Sequence, residues 1–293
     1  MNFIDISSWQ SGIDLPALFA QNPLDGVVVK STGGVSYVNP DCTGWVQWLI
    51  ENGKPFGFYH FLNDDGQNSS GSMEARFFVA NTRDYFGKGI PFIDYEGTAV
   101  QRGTAYLKEC LDTVFCLTGI KPGVYCSQSV TQAQDFSAIA QAGYPLWMAQ
   151  YASMDTVYGF TDDPWHSGSV APFNGYIMQQ YTSCGRLEGY DGNLDLDKCL
   201  ISYAEWTERA RGESAEAPVE KKPTGLSVVL DVLHGKYGIG AERVTSLSEA
   251  GYDAEAVQKK VNELYAVAMS CKRYIGDDNM PYLPAIDWII KCF

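Results

Sequence analysis

The sequence predicts an α/β protein: a (β/α) barrel of the TIM type, irregular on its helical side, followed by a small C-terminal module of three helices. Two observations lead to this prediction. Short apolar runs alternate with stretches of helical periodicity up to residue 197, and the eight runs are enough to close a barrel. After residue 212 the composition changes to small, charged and proline residues, and a separate helical pattern follows.

The eight apolar runs predict strands because each is short and rich in β-branched or aromatic residues. They cover residues 3–7, 26–30, 56–61, 90–96, 122–127, 145–151, 176–181 and 192–197. Apolar residues at helical spacing predict helices over residues 41–52, 72–86 and 104–118. Alternation of strand and helix favours parallel strands, whereas the glycine-rich and acidic stretch 152–175 predicts an irregular connection.

Three parts of the chain follow from this pattern: a barrel over residues 1–207, a linker over 208–225 and a helical module with an apolar tail over 226–293. The module is small, so we expect a binding role rather than catalysis. Its apolar stripes are Val229, Val232 and Leu233, then Val244 and Leu247, then Val257, Val261 and Leu264. The apolar tail, residues 280–290, either folds back onto a small core or mediates self-association, so a homo-oligomer is one expectation.

The charge of the chain argues against several classes of partner. The formal net charge is −14, and residues 1–205 hold 22 of the 35 acidic residues but only 10 of the 21 basic ones. Such a field does not attract nucleic acid or an anionic membrane surface. No apolar run reaches the length of a membrane span, and no basic and apolar leader opens the sequence, so we expect any export to use another route or a processed start.

Neither cysteine nor histidine spacing suggests a metal site. The eight cysteines lack paired zinc-type spacings, and several lie in apolar runs, so we expect reduced, buried thiols. The three histidines are dispersed, and neither a phosphate-binding glycine motif nor a G-x-S-x-G elbow is present. The pattern calls for no cofactor and no metal.

Polar or aromatic residues end each predicted strand. In a parallel barrel the carboxyl ends of the strands meet on one face, where active sites are built. A charged cleft lined by aromatic rings is therefore expected on that face. The strand-end residues are Asp5, Lys30, Tyr59, His60, Asp94, Glu96, Tyr125, Gln150, Gln180 and Asp195.

Asp94 and Glu96 form the sharpest pair in this set. Side chains alternate along a strand, so both carboxyl groups point to one side and Ile93 and Tyr95 to the other. Repulsion between two carboxylates keeps one of them protonated, which suits a general acid beside an ionised partner. Two other interpretations stay open: exposed acids at a strand end, or an all-oxygen site for a divalent cation.

The motifs in order resemble those of glycoside hydrolase family 25, the lysozymes of bacteria, fungi and phages. They are Phe3–Gln10, Val29–Thr32, Gly57–Phe61, Asp94–Glu96, Pro122–Tyr125, Leu146–Tyr151 and Gly192–Leu196. Each motif alone is weak, but seven in the same order are specific. The chain departs from the family at Gly33-Gly34, where Glu-Gly is frequent, and at Asp197, where Asn is frequent.

The resemblance implies hydrolysis of the β-1,4 bond between N-acetylmuramic acid and N-acetylglucosamine in peptidoglycan. It implies that Glu96 is the general acid and that Asp94 stabilises developing positive charge or orients the substrate's N-acetyl group. Asp5 and Asp195 complete the acidic cluster. The residues expected to line the sugar cleft are Lys30, Tyr59, Tyr125, Trp147 and Gln150. Whether Asp94 is a covalent nucleophile or assists the acetamide is left open, since the separation of the carboxyl groups bears on it.

The small module resembles the choline-independent CW-type cell-wall-binding repeat of phage lysozymes, through residues 230–238, 250–253 and 257–262. Barrel, linker and repeat together imply an endolysin that stays in the host cytoplasm until a holin pore releases it to the cell wall. A bacterial autolysin acting outside the cell is the first alternative. An inactive glycan-binding protein and a metal-dependent hydrolase are the others.

Overall fold

The computed structural model describes residues 1–212, 222 and 224–275. The chain divides into two compact units, Met1–Ser214 and Ala215–Phe293. Most of the predicted linker and the whole predicted apolar tail lie outside the described residues. The predicted end of the barrel at residue 207 falls inside a helix, Tyr203–Arg211. Within the described part of the chain, every helix is too short or too polar to cross a membrane.

The first unit is built around a closed barrel of eight strands, which confirms the predicted fold class. Each predicted strand is present, with its bounds shifted by a few residues. The barrel strands are β1 (Asn2–Ile6), β2 (Gly26–Gly33), β4 (Phe56–Phe61), β5 (Ile90–Asp94), β6 (Gly123–Ser127), β7 (Leu146–Ala149), β9 (Met178–Arg186) and β10 (Leu194–Cys199). Two short strands, β3 (Tyr37–Val38) and β8 (Val157–Tyr158), pair with the edges of β2 and β9.

The strand order is β1-β2-β4-β5-β6-β7-β9-β10, and pairing of β10 with β1 closes the ring. Seven strands are parallel, but β10 is antiparallel to both its neighbours, so the prediction of a fully parallel barrel is wrong for this strand. The physical reason is the short connection between β9 and β10, which allows a hairpin but no helical crossover. Reversal of β10 places its first residues, rather than its last, on the rim where the other strands end.

Helices cover the outside of the barrel. They are α1 (Leu15–Gln21), α2 (Cys42–Glu51), α3 (Gly71–Thr82), α4 (Gly97–Val100), α5 (Thr104–Thr118), α6 (Gln128–Ala133), α7 (Ser137–Gln141) and α8 (Tyr203–Arg211). Short 3-10 turns lie at Ser8–Gln10 and Arg83–Tyr85. Helices α2, α3 and α5 match the three predicted stretches, whereas between β7 and β9 the described chain forms only β8 and loops, as the composition of 152–175 predicts.

Alternation along the strands builds two cores. Ile4, Val29 and Ile93 point outward and pack under the helices. Phe3, Val28, Phe92 and Trp147 point inward and fill the barrel, together with Trp206 of α8. The Trp206 ring lies 4.6 Å from that of Phe3, and its indole nitrogen donates to the Phe56 carbonyl at 3.3 Å. Helix α8 therefore closes the barrel at the end where the parallel strands begin, which leaves the opposite rim as the open end.

The second unit contains three helices, α9 (Leu226–Leu233), α10 (Gly240–Glu249) and α11 (Ala254–Ile275). They pack around a small buried cluster: Val228, Val229, Val232, Leu247, Val257 and Val261. Val244, predicted in the same stripe as Leu247, is 56% exposed, so this part of the prediction is wrong. Helix α10 is short and reaches the core through Leu247, which leaves the preceding turn in solvent.

The described cysteines of the barrel form no disulfide bond with one another. Cys42, Cys110, Cys126 and Cys199 are buried. Cys116 is exposed, so the expectation of burial is wrong there, because its position on α5 faces away from the strands.

Candidate active site

The open rim of the barrel holds an acidic cavity of about 250 Å³. It brings together eight of the nine predicted site residues: Asp5, Lys30, Tyr59, Asp94, Glu96, Tyr125, Trp147 and Asp195. Ser7, Trp9, Phe61, Tyr151 and Gln180 complete its lining. The strands carry these side chains to one place because their ends converge there, and β10 contributes Asp195 through its reversed direction.

A second cavity of about 340 Å³ adjoins the first and contains the ninth predicted residue, Gln150. Its lining is neutral apart from Glu96: Tyr125, Ser127, Gln128, Ser129, Ala149, Gln150 and Tyr151. Glu96, Tyr125 and Tyr151 belong to both linings. Glu96 therefore lies at the junction of an acidic and a neutral compartment, where a chain of sugars could pass from one to the other.

The local backbone explains how Asp94 and Glu96 reach the same cavity. Strand β5 ends at Asp94, but Glu96 keeps an extended conformation (φ −144°, ψ −174°) before α4 begins. The alternation of side chains therefore continues past the strand. Tyr95 points outward, is fully buried under the helices, and donates through its hydroxyl to the side-chain Oε1 of Gln134 at 2.7 Å. This outer anchor fixes the backbone between the two carboxyl groups.

Burial favours the neutral form of both acids. It raises the pKa of Glu96, against the opposing effect of the Lys30 charge. Burial also raises the pKa of Asp94 well above its usual range; the charge of Glu96 adds to this shift and Lys30 opposes it. Asp94 is only 5% exposed, and its buried Oδ1 has no hydrogen-bond partner among the described residues.

Lys30 is the cation of the acidic cavity. Its ammonium group lies 2.9 Å from Asp64 Oδ2 and 4.6 Å from the centre of the Phe61 ring. The register of β2 against β4 shifts between Lys30 and Thr32, a bulge that ends the regular alternation there. Gly33 makes room for the partner acid, because a Cβ at that position would lie 2.2 Å from Asp64 Oδ2. Asp64 thus occupies the space that a side chain at position 33 would otherwise fill.

The aromatic residues form the floor and one wall of the cavity. Trp147 is 2% exposed; its ring packs 4.6 Å from that of Tyr125 and 5.1 Å from that of Phe92. Trp147 therefore lies beneath the cavity rather than presenting an open face. Burial raises the pKa of Tyr59 and of Tyr125 well above the usual value, so both remain neutral hydroxyl groups.

Asp5 and Asp195 face each other across the β1–β10 pair. Gln180 Nε2 donates to Asp5 Oδ2 at 2.6 Å, and the oxygen of the same amide accepts from Tyr125 at 2.8 Å and from Tyr151. Burial and the charge of Glu96 raise the pKa of Asp195 to about 6. Gln180 thus ties the acidic cluster to the phenols of the neighbouring wall.

Gln150 uses both ends of its amide on protein partners. Its nitrogen donates to Gln128 Oε1 at 2.6 Å and to the Ser167 carbonyl at 3.0 Å, and its oxygen accepts from the Ser167 amide at 3.0 Å. Gln179 holds the same segment through the Trp165 carbonyl at 2.9 Å. Gln150 lines the neutral cavity, but its hydrogen bonds clamp the 152–175 connection against the barrel.

Sequence reasoning missed several residues of the site. Trp9 is 90% exposed on the rim, in a short turn whose capping hydrogen bonds come from Ser7 and Gln10. Its position inside the first motif was the available signal. Asp64 gave no signal, because it lies in a loop and its pairing with Lys30 depends on the fold. Among the residues that the structure describes, no three or more His, Cys, Asp or Glu side chains are arranged to hold a metal ion.

Two family models match the chain: glycosyl hydrolases family 25 over residues 4–190, and the CW_7 repeat over residues 227–265. The lysozyme of Streptococcus phage Cp-7 is 28% identical over 265 residues, which cover 89% of this chain and 69% of that protein. The lysozyme of Streptococcus phage Cp-1 is 28% identical over 186 residues, or 60% of this chain and 53% of the phage protein, so the match spans about half of that relative.

Solved structures show the same barrel. The bacterial lysozyme from Streptomyces coelicolor superposes with a TM-score of 0.59 at 20% identity, covering 72% of this chain and 97% of that chain. The muramidase from Acremonium alcalophilum gives 0.58 at 21% identity, covering 73% and 100%. The CTP1L endolysin gives 0.56 at 23% identity, covering 70% and 68%. At these identities the likeness establishes the fold.

Proposed function

The chain belongs to the glycosyl hydrolases of family 25, and from this premise we propose that it is an endolysin whose Glu96 protonates the bond that is cut. It is a lysozyme, a glycoside hydrolase acting on peptidoglycan. The observation that carries the assignment of Glu96 is its position at the junction of the acidic and neutral cavities. A general acid has to reach the leaving oxygen of the substrate, and Glu96 is the acid of the DxE pair that belongs to both linings.

The proposed reaction cleaves the β-1,4 bond between N-acetylmuramic acid and N-acetylglucosamine. Glu96 gives its proton to the glycosidic oxygen as the bond from the anomeric carbon breaks, and water finally supplies the new hydroxyl at that carbon. Burial favours the protonated acid before the reaction. Once Glu96 has lost its proton, the charge of Lys30 stabilises the carboxylate.

Asp94 is proposed to stabilise the positive charge that develops on the sugar or to orient the N-acetyl group. Burial raises its pKa and so favours the neutral form, whereas a cation forming beside it favours the ionised form. Asp5 and Asp195 extend the negative field along the cavity. Lys30, Tyr59, Tyr125, Trp147 and Gln150 are proposed to shape the sugar cleft, Trp147 from below and Gln150 through the loop that it holds.

Product analysis tests the reaction. Purified peptidoglycan is digested and the fragments are identified by mass spectrometry. New reducing ends on muramic acid are expected. New reducing ends on glucosamine, or released peptides, would contradict the proposed bond. Unchanged activity in a chelator is also expected, whereas its loss would favour the metal-dependent alternative.

Glu96→Gln tests the general acid. The amide keeps the size of the side chain but carries no transferable proton, so turnover should fall at least about a hundredfold with the fold intact. Glu208→Gln, on an exposed position of α8, is the matched control and should stay near wild type. Retention of about a tenth of wild-type turnover or more by Glu96→Gln would show that Glu96 is not the general acid.

Asp94→Asn should also reduce turnover strongly, and a near-neutral effect would contradict the paired-carboxylate mechanism.

The second unit is proposed to hold the enzyme on the cell wall, with the first unit, which includes helix α8 through Arg211, as the catalytic part. Support comes from the CW_7 match and from three helices packed on one small core. Cosedimentation with purified cell walls compares the full chain with a chain that ends at residue 212. Equal binding by both would rule out the anchoring role.

The endolysin assignment carries two further proposals: release from the host cytoplasm through a holin pore, and self-association through the second unit to strengthen wall binding. Co-expression with a holin should give abrupt lysis that expression of the chain alone does not. Lysis without a holin would favour the autolysin alternative.

Light scattering at micromolar concentration tests self-association of the chain, and a monomer would exclude it. A wild-type chain that binds bare walls without clearing their turbidity would favour the inactive glycan-binding alternative.

A further inference from the structure

Asp197 is a buried acid that the proposed mechanism does not use. It lies on β10 two residues after Asp195, so both side chains point into the barrel while Leu194 and Leu196 point outward. The Asp197 side chain is fully buried, below the cavity that Asp5 and Asp195 line.

The contacts of Asp197 leave one oxygen unexplained. Its Oδ1 accepts a hydrogen bond from the Trp147 indole nitrogen at 2.8 Å. Its Oδ2 is buried and has no donor among the described groups. The Asp197 and Asp5 side chains are, however, close enough to hydrogen-bond to each other. Two carboxylates cannot do so, because neither has a proton to donate.

Among the described residues, no cation lies against the pair to neutralise a second charge. The acids facing the pair are Asp195 on β10 and, across the cavity, Asp94 and Glu96. The phenols facing it are Tyr59, Tyr125, Tyr151 and Tyr181, and the thiol of Cys199 lies along the same strand. Lys30, the cation of the cavity, is paired with Asp64.

We propose that Asp5 and Asp197 share a single proton and act as one singly charged pair, in which Asp197 is a positioning residue for Asp5. The proton supplies the missing donor between the two carboxyl groups, as in other pairs of touching acids. Trp147 anchors the pair from below and Gln180 from the side. Asp5 is thereby held in one orientation beneath the cleft.

The electrostatics agree with the geometry. Burial and the charge of Asp195 raise the pKa of Asp5 and of Asp197 well above the usual range, while the hydrogen bonds from Gln180 and Trp147 oppose the shifts. The pair therefore loses its shared proton only at a pH well above the usual pKa of aspartate. The shared proton is independent of catalysis, whereas its importance for turnover rests on the proposed function.

Asp197→Asn tests the shared proton. The asparagine amide can donate to Asp5 while its oxygen accepts from Trp147, so the variant reproduces the singly charged pair without binding a proton. The wild-type chain takes up that proton on folding and loses stability as pH rises, because the folded pKa is raised. Relative to wild type, the folding equilibrium constant of Asp197→Asn should thus increase about tenfold per pH unit between pH 5 and 7.

Urea unfolding of the full chain at pH 5, 6 and 7 measures this ratio. Tryptophan fluorescence reports the barrel, since six of the seven tryptophans precede residue 207. Asp84→Asn, at an exposed acid after α3, is the matched control and should give a ratio that does not change with pH. A pH-independent ratio for Asp197→Asn would overturn the shared proton, because it would mean that wild type folds without taking one up.

Asp197→Leu separates positioning from simple space filling. Leucine keeps the γ-branched shape of the side chain but forms no hydrogen bond with Asp5 or Trp147. Turnover on peptidoglycan should stay close to wild type in Asp197→Asn and fall about 10–100-fold in Asp197→Leu, the expected cost of losing a hydrogen bond to a charged group. Equal turnover of the two variants would overturn the positioning role. Absence of hydrolysis by wild type would instead refute the proposed function, and the unfolding result would still decide the shared proton.

Discussion

Gln150→Ala separates two possible roles for a residue of the sugar cleft. The side chain either contacts the substrate or holds the 152–175 connection, and its observed hydrogen bonds favour the second. Two of them join it to the backbone of Ser167, both at 3.0 Å. A neutral hydrogen bond contributes about 0.5–1.5 kcal/mol, so the alanine variant should weaken closure of the loop by about 1–3 kcal/mol. Opening of the loop should then be about 5–150-fold more frequent.

Limited proteolysis within residues 152–175 measures loop opening, and binding of a chitin oligomer measures the cleft. In Gln150→Ala, cleavage of the loop should accelerate within that range, while the melting temperature of the barrel changes little. Sugar binding should weaken only as far as the open loop becomes populated. Gln132→Ala is the matched control, because Gln132 also bonds to the loop, through the Ser169 carbonyl at 3.3 Å, but lies outside the lining of the cavity.

The result that would refute the clamp is a loss of sugar binding with unchanged proteolysis. Gln150 would then contact the sugar directly, as the strand-end pattern first predicts. Faster proteolysis in both glutamine variants, with weaker binding only in Gln150→Ala, would assign both roles to this residue.

Three further predictions concern charge and packing. Asp195 has a pKa raised from 3.8 to about 6, so it takes up a proton on folding and contributes a fall in wild-type stability of about 3 kcal/mol as pH rises from about 4 to 6. In urea unfolding, Asp195→Asn should reduce the fall by about this amount and leave the part that comes from the Asp5–Asp197 pair, and an unchanged pH dependence would contradict the shift. Lys30→Met removes the positive charge that lowers the pKa of Glu96 and of Asp94. Both limbs of the pH–rate profile should therefore move to higher pH. A profile that stays in place would show that Lys30 does not lower these two pKa values. Trp206→Ala should lower the free energy of unfolding by about 3–5 kcal/mol, because the side chain is only 1% exposed at the base of the barrel. A loss under about 1 kcal/mol would show that closure of the barrel by Trp206 is not needed for stability.

Strand periodicity was sufficient to predict the barrel but not the direction of its last strand. The run that became β10 has the same alternation whichever way it runs, and its direction depends on the hairpin with β9 and on closure against β1. Asp195 was predicted at the rim from the end of a parallel strand. It reaches the rim from the beginning of an antiparallel one, so the predicted location rests on a different physical reason.

The grouping of the acids could be predicted, whereas their environments could not. Alternation places Asp94 and Glu96 on one side, and both line the acidic cavity. Three features depend on which side chains meet in the folded barrel. They are the burial of Asp197, the hydrogen bonds of the Gln150 amide, and the position of Trp147 below the cavity. Those contacts join residues far apart in sequence, such as Trp147 and Asp197, and no local pattern encodes them.

Helix α8 limits where the catalytic part can be cut from the rest of the chain. Trp206 lies against Phe92, whose ring lies 5.1 Å from that of Trp147, and Trp147 bonds to Asp197. A row of contacting rings therefore runs from the base of the barrel to the buried carboxyl group of Asp197 beneath the cavity. A cut at residue 207 would remove Ala210, which is also buried in that interior. A catalytic part exchanged between different wall-binding modules should accordingly retain the whole helix through Arg211, since loss of its end would loosen the floor on which the acids rest.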